Sequence, residues 1–487
     1  MWTSTAALSA LLAAPPSLDA ELKALQAAAE DHVAYEVVAS LTTEVGPRLA
    51  GTEAEARARA WAVAKLRALG FERVRVEPAV VRGWERGPES ARVLSPSPQA
   101  LAVTALGRSV ATPKAGIEAP VVRFESLAEL EAVEAGALEG RIAFIDRPMP
   151  KTQDGSGYGA VVGIRGGGAS AAAAKGAEAV LIRSVGTDSH RFPHTGMLRY
   201  ADEAPKIPAA ALSAPDADQL GRLMDLPAKA CAAAGGEAED GGGCAVRLRL
   251  VLRPRFTGDR PTGNVIGEIR GRTHPDEIVL LGAHLDSWDL GTGAVDDGAG
   301  VGIVIGAAKL IRDRAGRRPA RTIRVVLFGA EEVGLVGAKA YAEAHADELS
   351  EHVIAMESDF GAGPVYRLSG RVADGAWPMV RALGARHLTR LAIIEGENGR
   401  AGGPDLYPLR GIVPIIGLDQ DGRDYFDLHH TADDTLDKID PSSLSQNVAA
   451  YATVAWWASE TGPWLRDAPE TQAAQPAVTE EEATRTE

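Results

Sequence analysis

Acidic and histidine side chains follow three apolar segments of the sequence, each at the point where the segment ends. The segments span residues 278–283, 323–329 and 352–356, and they lead into His284-Leu285-Asp286, Glu331-Glu332 and Glu357-Ser358-Asp359. Short apolar runs of this kind predict buried strands. Ligands bind beyond the carboxyl ends of strands in open α/β sheets, so we expect these side chains to converge on one crevice.

Two further polar pieces complete this set of residues. Asp296 and Asp297 lie among glycines shortly after the first segment, and the pair His429-His430 comes much later. Each signal alone is ordinary, because adjacent glutamates usually mark a solvated turn and Asp297 is equally suited to cap a helix. The ordered recurrence of such residues after apolar segments favours one two-metal hydrolase centre.

The residue types indicate zinc. Imidazole and carboxylate ligands suit this metal, and the absence of cysteine from the cluster argues against a structural thiolate site. Two zinc ions that share a carboxylate lie ~3.5–4 Å apart and clamp the reacting oxygens of a hydrolysis. The five candidate ligands are His284, Asp296, Glu332, Asp359 and His430. Glu331 then remains as the general base, and Asp286 is placed to accept the second N–H of His284.

Four segments of the chain resemble the M28 family of zinc peptidases. They are residues 282–300 (GAHLDSWDLGTGAVDDGAG), 325–338 (VVLFGAEEVGLVGA), 356–361 (MESDFG) and 425–435 (YFDLHHTADDT). Residues 193–212, outside this half of the chain, also resemble that family. All six positions that carry the chemistry in the family match this sequence, so the resemblance implies an active enzyme.

The resemblance implies a role for each of these residues. One zinc ion would be held by His284 and Asp359, and the other by Glu332 and His430. Asp296 would bridge the two ions, and Glu331 would be the base. Relatives place the late histidine ligand directly before Ser or Thr, which selects His430 over His429.

The resemblance also implies the fold class. We expect an α/β zinc-exopeptidase (phosphorylase/hydrolase-like) fold, with a three-layer catalytic domain around a mainly parallel central sheet. Residues 116–254 change in character and resemble a β-rich protease-associated insert, which in relatives caps the catalytic domain. The catalytic domain then consists of residues 18–115 and 255–466. Residues 467–487 lack apolar periodicity and predict a disordered tail.

Local patterns predict several individual elements. Helices are expected over residues 18–41, 52–69 and 170–175, and strands over residues 71–81, 142–145 and 180–182.

Length and charge bound the class of protein. The 487 residues, of which 45% are hydrophobic, suggest two to three domains at about 150 residues each. The 66 acidic residues exceed the 51 Lys and Arg residues, and the net charge of −15 disfavours nucleic acid or anionic membranes as partners. No apolar run reaches the ~18 residues of a transmembrane segment.

The location of the protein is less directly encoded. Residues 6–14 (AALSALLAA) resemble the apolar part of a secretory signal, although no Lys or Arg precedes them. Residues 1–17 are therefore a signal peptide or a flexible N-terminus. Cys231 and Cys244 flank a glycine-rich loop and can pair in an oxidising compartment. We expect a secreted or periplasmic protein, with a cytoplasmic one as the alternative.

Two zinc ions and a base define amide hydrolysis but not the peptide. The relatives are dimeric exopeptidases that act on dipeptides with free termini, which implies a small-peptide substrate and a homodimer. A broader aminopeptidase and a glutaminyl-cyclase-like acyltransferase are the alternatives. Residues 193–196 and 402–405 are candidate pocket pieces or simple turns. No arginine can be assigned to a substrate carboxylate from the sequence.

Overall fold

The structure, a computed structural model, describes residues 16–31, 33–238, 243–400 and 402–466. The predicted tail, and all but the last two residues of segment 1–17, lie outside this description. Among the helices of the described ranges, none has the length and hydropathy of a membrane span.

The elements are numbered in chain order. The strands are β1 Glu72–Glu85, β2 Glu89–Ser95, β3 Gln99–Leu101, β4 Val103–Ala105, β5 Ile117–Phe124, β6 Ile142–Ile145, β7 Ala179–Arg183, β8 Ala209–Leu212, β9 Glu237–Ala238, β10 Cys244–Ala245, β11 Arg247–Leu252, β12 Arg255–Ile269, β13 His274–His284, β14 Arg321–Phe328, β15 His352–Glu357, β16 Val365–Arg371, β17 Ile394–Asn398 and β18 Ile415–Gln420. The helices are α1 Pro16–Ala27, α2 Ala34–Glu44, α3 Glu53–Ala68, α4 Leu127–Ala132, α5 Ser156–Gly159, α6 Gly163–Ala174, α7 Ala214–Met224, α8 Ala228–Ala233, α9 Ala299–Arg314, α10 Val336–Ala344, α11 Trp377–Leu383, α12 Tyr425–Leu428 and α13 Pro441–Thr461.

The first sheet has the strand order β1-β12-β14-β13-β15-β18-β16-β17 and is mixed. Its central strands β14, β13, β15 and β18 are parallel to one another, as expected. The edge pair β16–β17 is also parallel, whereas β1–β12, β12–β14 and β16–β18 are antiparallel, so the sheet combines both directions. The chain leaves this sheet at Glu85 and re-enters it opposite that residue, at Arg255, which forces β1 and β12 to run antiparallel.

Helices cover both faces of the first sheet. Successive side chains of its central strands point to opposite sides, so both faces present apolar residues to these helices. Val279 and Leu281 face the core formed with α1, α2, α9 and α13. Ile278 and Leu280 face a separate core formed with α10. Strands buried on both faces are apolar throughout, which explains the continuous runs in the sequence. The predicted three layers are therefore present.

The second sheet has the order β3-β2-β11-β5-β6-β7-β8-β4 and is made by the chain between β1 and β12. Strands β2 to β4 belong to it, so it starts at Glu89 and the predicted boundary at residue 116 falls inside it. The strands predicted at residues 142–145 and 180–182 are present as β6 and β7. This sheet and its helices form the second layer of the protein, and the first sheet with its helices forms the first layer. The resemblance of the second layer to a protease-associated domain stays a prediction.

Two helix predictions had different outcomes. The helix expected over residues 52–69 is present as α3, and the hydroxyl of Thr52 caps it by accepting the N–H of Glu55 at 3.3 Å. The helical pattern expected over residues 18–41 is present as two helices, α1 and α2, which a short 3-10 turn at Ala29–Asp31 separates. The break lets α1 pack mainly on α13 and α2 mainly on α9.

Two other expectations concern residues 71–81 and the cysteines. The strand predicted at residues 71–81 is β1, which continues to Glu85. Cys231 and Cys244 form a disulfide that closes the loop between α8 and β10.

Candidate metal centre

The three predicted strand ends meet at one edge of the first sheet. His284 is the last residue of β13, and Glu331 and Glu332 follow β14 after a short turn. Asp359 lies two residues beyond β15. Because β13 pairs in parallel with both β14 and β15, these side chains emerge at the same edge.

Asp296 lies between two histidines. Its Oδ1 is 3.1 Å from Nε2 of His284, and its Oδ2 is 3.3 Å from Nε2 of His430. The loop that carries Asp296 leads directly into α9. The carboxylate of Asp434 accepts the N–H groups of Val295 and Asp296, at 2.6 and 3.2 Å, and so fixes this loop.

The remaining candidate ligands divide between the two histidines. Asp359 Oδ1 lies 3.3 Å from Nε2 of His284. Glu332 Oε2 lies 3.0 Å from Nε2 of His430. The cluster therefore consists of two imidazole–carboxylate pairs, with Asp296 in contact with both.

His429 and His430 are stacked at 3.5 Å between ring centroids but differ in their surroundings. Nε2 of His429 is 3.9 Å from Oδ2 of Asp296, whereas Nε2 of His430 is 3.3 Å from the same oxygen. The carboxylate of Glu332 forms no ion pair with His429 within 4 Å. The ring of His429 instead packs against Tyr158, Tyr425 and Phe426. These distances favour His430 as the ligand.

Asp286 acts differently from the expectation. The second ring nitrogen of His284 lies 3.0 Å from the backbone oxygen of Asp286, and 3.8 Å from its carboxylate. The carboxylate accepts the backbone N–H of Glu331 at 3.0 Å. Asp286 thus orients His284 through its main chain and positions the glutamate pair through its side chain.

The centre contains far more buried acid than base. The buried carboxylates are those of Asp286, Asp296, Asp297, Glu332, Glu357, Asp405 and Asp434. Burial raises the pKa values of Glu331 and Glu332 well above the usual range, and neighbouring carboxylates add to this. Burial alone would lower the pKa of His284, yet the charge of Asp359 and hydrogen bonds to Asp296 and Asp359 raise it well above its usual value. Divalent cations would neutralise such an excess of negative charge.

The donor atoms fit zinc. Two ligands on one tetrahedral zinc ion, each at about 2.0–2.1 Å, lie roughly 3.3 Å apart. The imidazole–carboxylate separations of 3.0 to 3.3 Å match this value. Asp296 Oδ2 and Glu332 Oε1 are buried without a hydrogen-bond partner among the described residues, which leaves lone pairs for a cation. Donor atoms of His284, Asp296 and Glu332 also lie within 4.8 Å of one another.

Comparison with known proteins identifies the family. The model of peptidase family M28 matches residues 264–455. Carboxypeptidase Q from Mus musculus is 34% identical over 422 residues, which cover 87% of this chain and 84% of that protein. The chain belongs to peptidase family M28. It is accordingly a metallopeptidase. The pair Glu331-Glu332 and the candidate histidine ligands His284 and His430 lie within the matched residues.

Solved structures agree with this M28 assignment. The crystal structure of a peptidase M28 precursor from Shewanella amazonensis is 48% identical with a TM-score of 0.87, and the match covers 93% of this chain and 99% of that one. A zinc aminopeptidase from Bacillus subtilis shares the fold at 20% identity, with a TM-score of 0.61 and coverage of 90% and 98%.

The metal centre of this M28 peptidase opens into a cavity of about 1070 Å³, which is lined by both sheet layers. The second layer contributes Tyr158, Arg165 and Met197. Residues 402–405 are one of the two predicted pocket pieces, and three of them, Gly402, Gly403 and Pro404, line the cavity.

The other predicted pocket piece, residues 193–196, supports the site from behind. Thr195 donates its N–H to the carbonyl of His430 at 3.0 Å. His194 contacts the carbonyl of His429 through Nδ1 at 2.6 Å. Gly196 lies directly under the guanidinium of Arg165, where a Cβ atom would come within 2.5 Å of Nη1.

Sequence reasoning missed Arg48, a fully buried residue that holds the centre together. Its guanidinium donates to the carbonyls of Leu285, Thr292 and Gly293 at 2.5, 2.7 and 2.8 Å. It therefore ties the strand end that carries His284 to the loop before Asp296. These three carbonyls lie more than 230 residues away in the sequence, so no local pattern could indicate this role.

Asp297, considered as a helix cap, has two functions. Its Oδ1 accepts the N–H of Gly300 in the first turn of α9 at 2.9 Å, as a capping side chain does. Its Oδ2 accepts the backbone N–H of His284 at 3.1 Å. One carboxylate thus fixes both the helix start and the strand end.

We expect Arg48→Met to lower the free energy of unfolding by about 3 kcal/mol or more. Three buried carbonyls lose a charged donor, and each such hydrogen bond is worth about 1.5–3 kcal/mol. Urea denaturation in the presence of a chelator measures this without a contribution from metal binding. Arg255→Met is the control, because that side chain is 73% exposed and its change should stay within about 0.5 kcal/mol. Equal effects in the two variants would contradict the role of Arg48.

Proposed function

We propose that this protein is a two-zinc exopeptidase that hydrolyses short peptides with free termini. The observation that carries the proposal is the position of Asp296, whose two oxygens face the imidazoles of His284 and His430. A carboxylate in this position is suited to bridge two ions. The zinc aminopeptidase of similar fold from Bacillus subtilis supports the choice of metal.

Each ion would have its own pair of ligands besides Asp296. His284 and Asp359 hold one ion, and Glu332 and His430 hold the other. Zinc bound in this way lowers the pKa of a water molecule and polarises the scissile carbonyl. A glutaminyl-cyclase-like acyltransferase with one zinc is disfavoured, because both histidines and a shared carboxylate are available here.

Glu331 is the general base of this proposal. Its carboxyl group lines the cavity, while its backbone N–H is held by Asp286. Burial raises the pKa of Glu331, which makes its carboxylate a stronger proton acceptor than a free glutamate. Glu331 takes the proton of the attacking water and delivers it to the leaving amine.

Arg165 supports a substrate with a free carboxylate. The side chain is 8% exposed, lines the cavity and contacts the hydroxyl of Tyr158. Its Nε and Nη1 are buried without a partner among the described residues. A guanidinium with two free N–H groups matches a carboxylate in geometry and charge. The second layer would thus cap the cleft and bind the end of a short peptide.

The proposal extends to the location and the oligomeric state of the protein. The disulfide between Cys231 and Cys244 is consistent with a secreted or periplasmic location. The homodimer stays a prediction from the family. A broader aminopeptidase is the alternative activity.

The metal stoichiometry tests the bridging role. We expect two zinc ions per chain, and loss from both sites in Asp296→Ala, because each ion loses a shared ligand. Elemental analysis after gel filtration measures the content. Asp259→Ala, at an exposed position, should retain both ions. Retention of two ions in Asp296→Ala would refute the bridge.

The glutamate pair can be divided by substitution. Glu331→Gln should keep its zinc and lose roughly 10²–10⁴-fold in kcat, which is the usual contribution of a general base. Glu332→Gln should instead lose metal, because this residue contacts His430 at 3.0 Å. Turnover and zinc content are measured on the same samples. The reverse pattern would show that the two roles are exchanged.

Substrate length and termini test the activity itself. We expect dialanine to be hydrolysed with a much higher kcat/KM than tetra-alanine, N-acetylated or C-amidated peptides, because the cleft is capped and Arg165 binds a carboxylate. Arg165→Gln should lower kcat/KM for dialanine about tenfold or more and leave the amidated peptide unchanged. Equal or better hydrolysis of longer peptides would favour the broader aminopeptidase.

A further inference from the structure

Six arginines line the cavity beside a strongly acidic metal centre. They are Arg165, Arg199, Arg367, Arg371, Arg400 and Arg410. Two of them have acidic partners, since Arg367 pairs with Asp419 at 2.6 Å and Arg400 with Asp154 at 3.6 Å. Because each of these two arginines has an acidic partner, neither adds an unbalanced positive charge to the cavity.

Arg371 and Arg410 differ from these pairs. Among the residues that the structure describes, neither guanidinium has an acidic partner within 4 Å, and the Nε of each is buried without an acceptor. Buried donors normally have partners, so an unsatisfied pair calls for an explanation. In a chain of net charge −15, two neighbouring cations that line a cavity without an acidic partner indicate an anion site.

The two arginines come together from separate elements. Arg371 ends β16 and pairs with Ile415 of β18. Arg410 follows the short helical turn Pro404–Leu409, and its guanidinium lies 3.6 Å from the ring centroid of Tyr407. This stacking fixes the plane of the guanidinium. Burial lowers the pKa of Arg410, and the nearby charge of Arg371 lowers it further.

The carboxyl group of Glu357 influences Arg410, but it forms no ion pair within 4 Å with either arginine among the described residues. Glu357 uses its two oxygens to accept the N–H groups of Asp405 and Leu406, at 3.1 Å each. Gly403 lies against this carboxylate, and a Cβ atom there would approach its carbon to 2.5 Å. The absence of a side chain at Gly403 therefore lets the loop lie close to Glu357.

We propose that Arg371 and Arg410 bind the carboxylate of an acidic side chain of the peptide substrate. The inference deepens the proposed function and rests on it. Guanidinium groups bind carboxylates through paired, charge-assisted hydrogen bonds, which lysine cannot reproduce in geometry. The terminal carboxylate has its own partner in Arg165, which extends from the second layer. Arg371 and Arg410 belong to the first layer and are left for a second anion.

Calorimetry on the inactive Glu331→Gln enzyme, loaded with zinc, tests this without turnover. The ligands are Ala-Glu, Ala-Gln, Glu-Ala, Gln-Ala and dialanine. We expect one glutamate peptide to bind about tenfold or more tightly than its glutamine counterpart, since a site built for a charged group rejects the neutral analogue. Adding Arg371→Gln or Arg410→Gln should abolish this preference and change the affinity for dialanine less than twofold. Arg400→Gln is the matched control and should keep the preference.

Several outcomes would overturn the proposal. Equal affinities for the glutamate and glutamine peptides in the parent enzyme would refute it, as would a preference that survives both substitutions. Weaker binding of dialanine in the Arg371 and Arg410 variants would show that they hold the terminal carboxylate instead. Melting temperatures identify a variant that fails to fold, and Arg371→Lys, which keeps the charge, should retain part of the preference. Failure of the proposed function would appear separately, as an absence of dipeptide hydrolysis by the wild-type enzyme.

Discussion

The excess of buried carboxylate at the ends of β13, β14 and β15 is the constraint on which the rest of the structure depends. Like charges held this closely repel one another, and burial deprives them of water. The chain tolerates them because backbone N–H groups and Arg48 hold several of these acids and their loops in place. Metal binding would complete this balance, so the centre is both a catalytic site and a strained part of the fold.

Much of this candidate centre could be predicted because most of its candidate ligands follow apolar strands. The positions of His284, Glu332 and Asp359 at one sheet edge follow from the apolar strands and their parallel arrangement. The role of Asp286 could not be predicted, because the choice between its backbone and side-chain oxygens depends on the rotation of His284. Arg48 was also missed, since its partners are distant in sequence and it belongs to no motif.

The fold shows the same division between local and distant information. Thr52 gave the start of α3 because a capping residue acts over three positions. The break between α1 and α2 depends on packing against α9 and α13, which the sequence pattern does not contain. The start of the second sheet at Glu89 was missed because β2 to β4 are defined only by their distant partners.

Hydrogen bonds between the second layer and the loop that carries His429 and His430 restrict how the second layer can move. Thr195 and His194 hold the carbonyls of His430 and His429, while Arg86 joins Thr195 to Asp289 on the metal side. A hinged lid would have to break all of these contacts each time it opened. We therefore expect the second layer to form a fixed wall of the cavity rather than a moving lid.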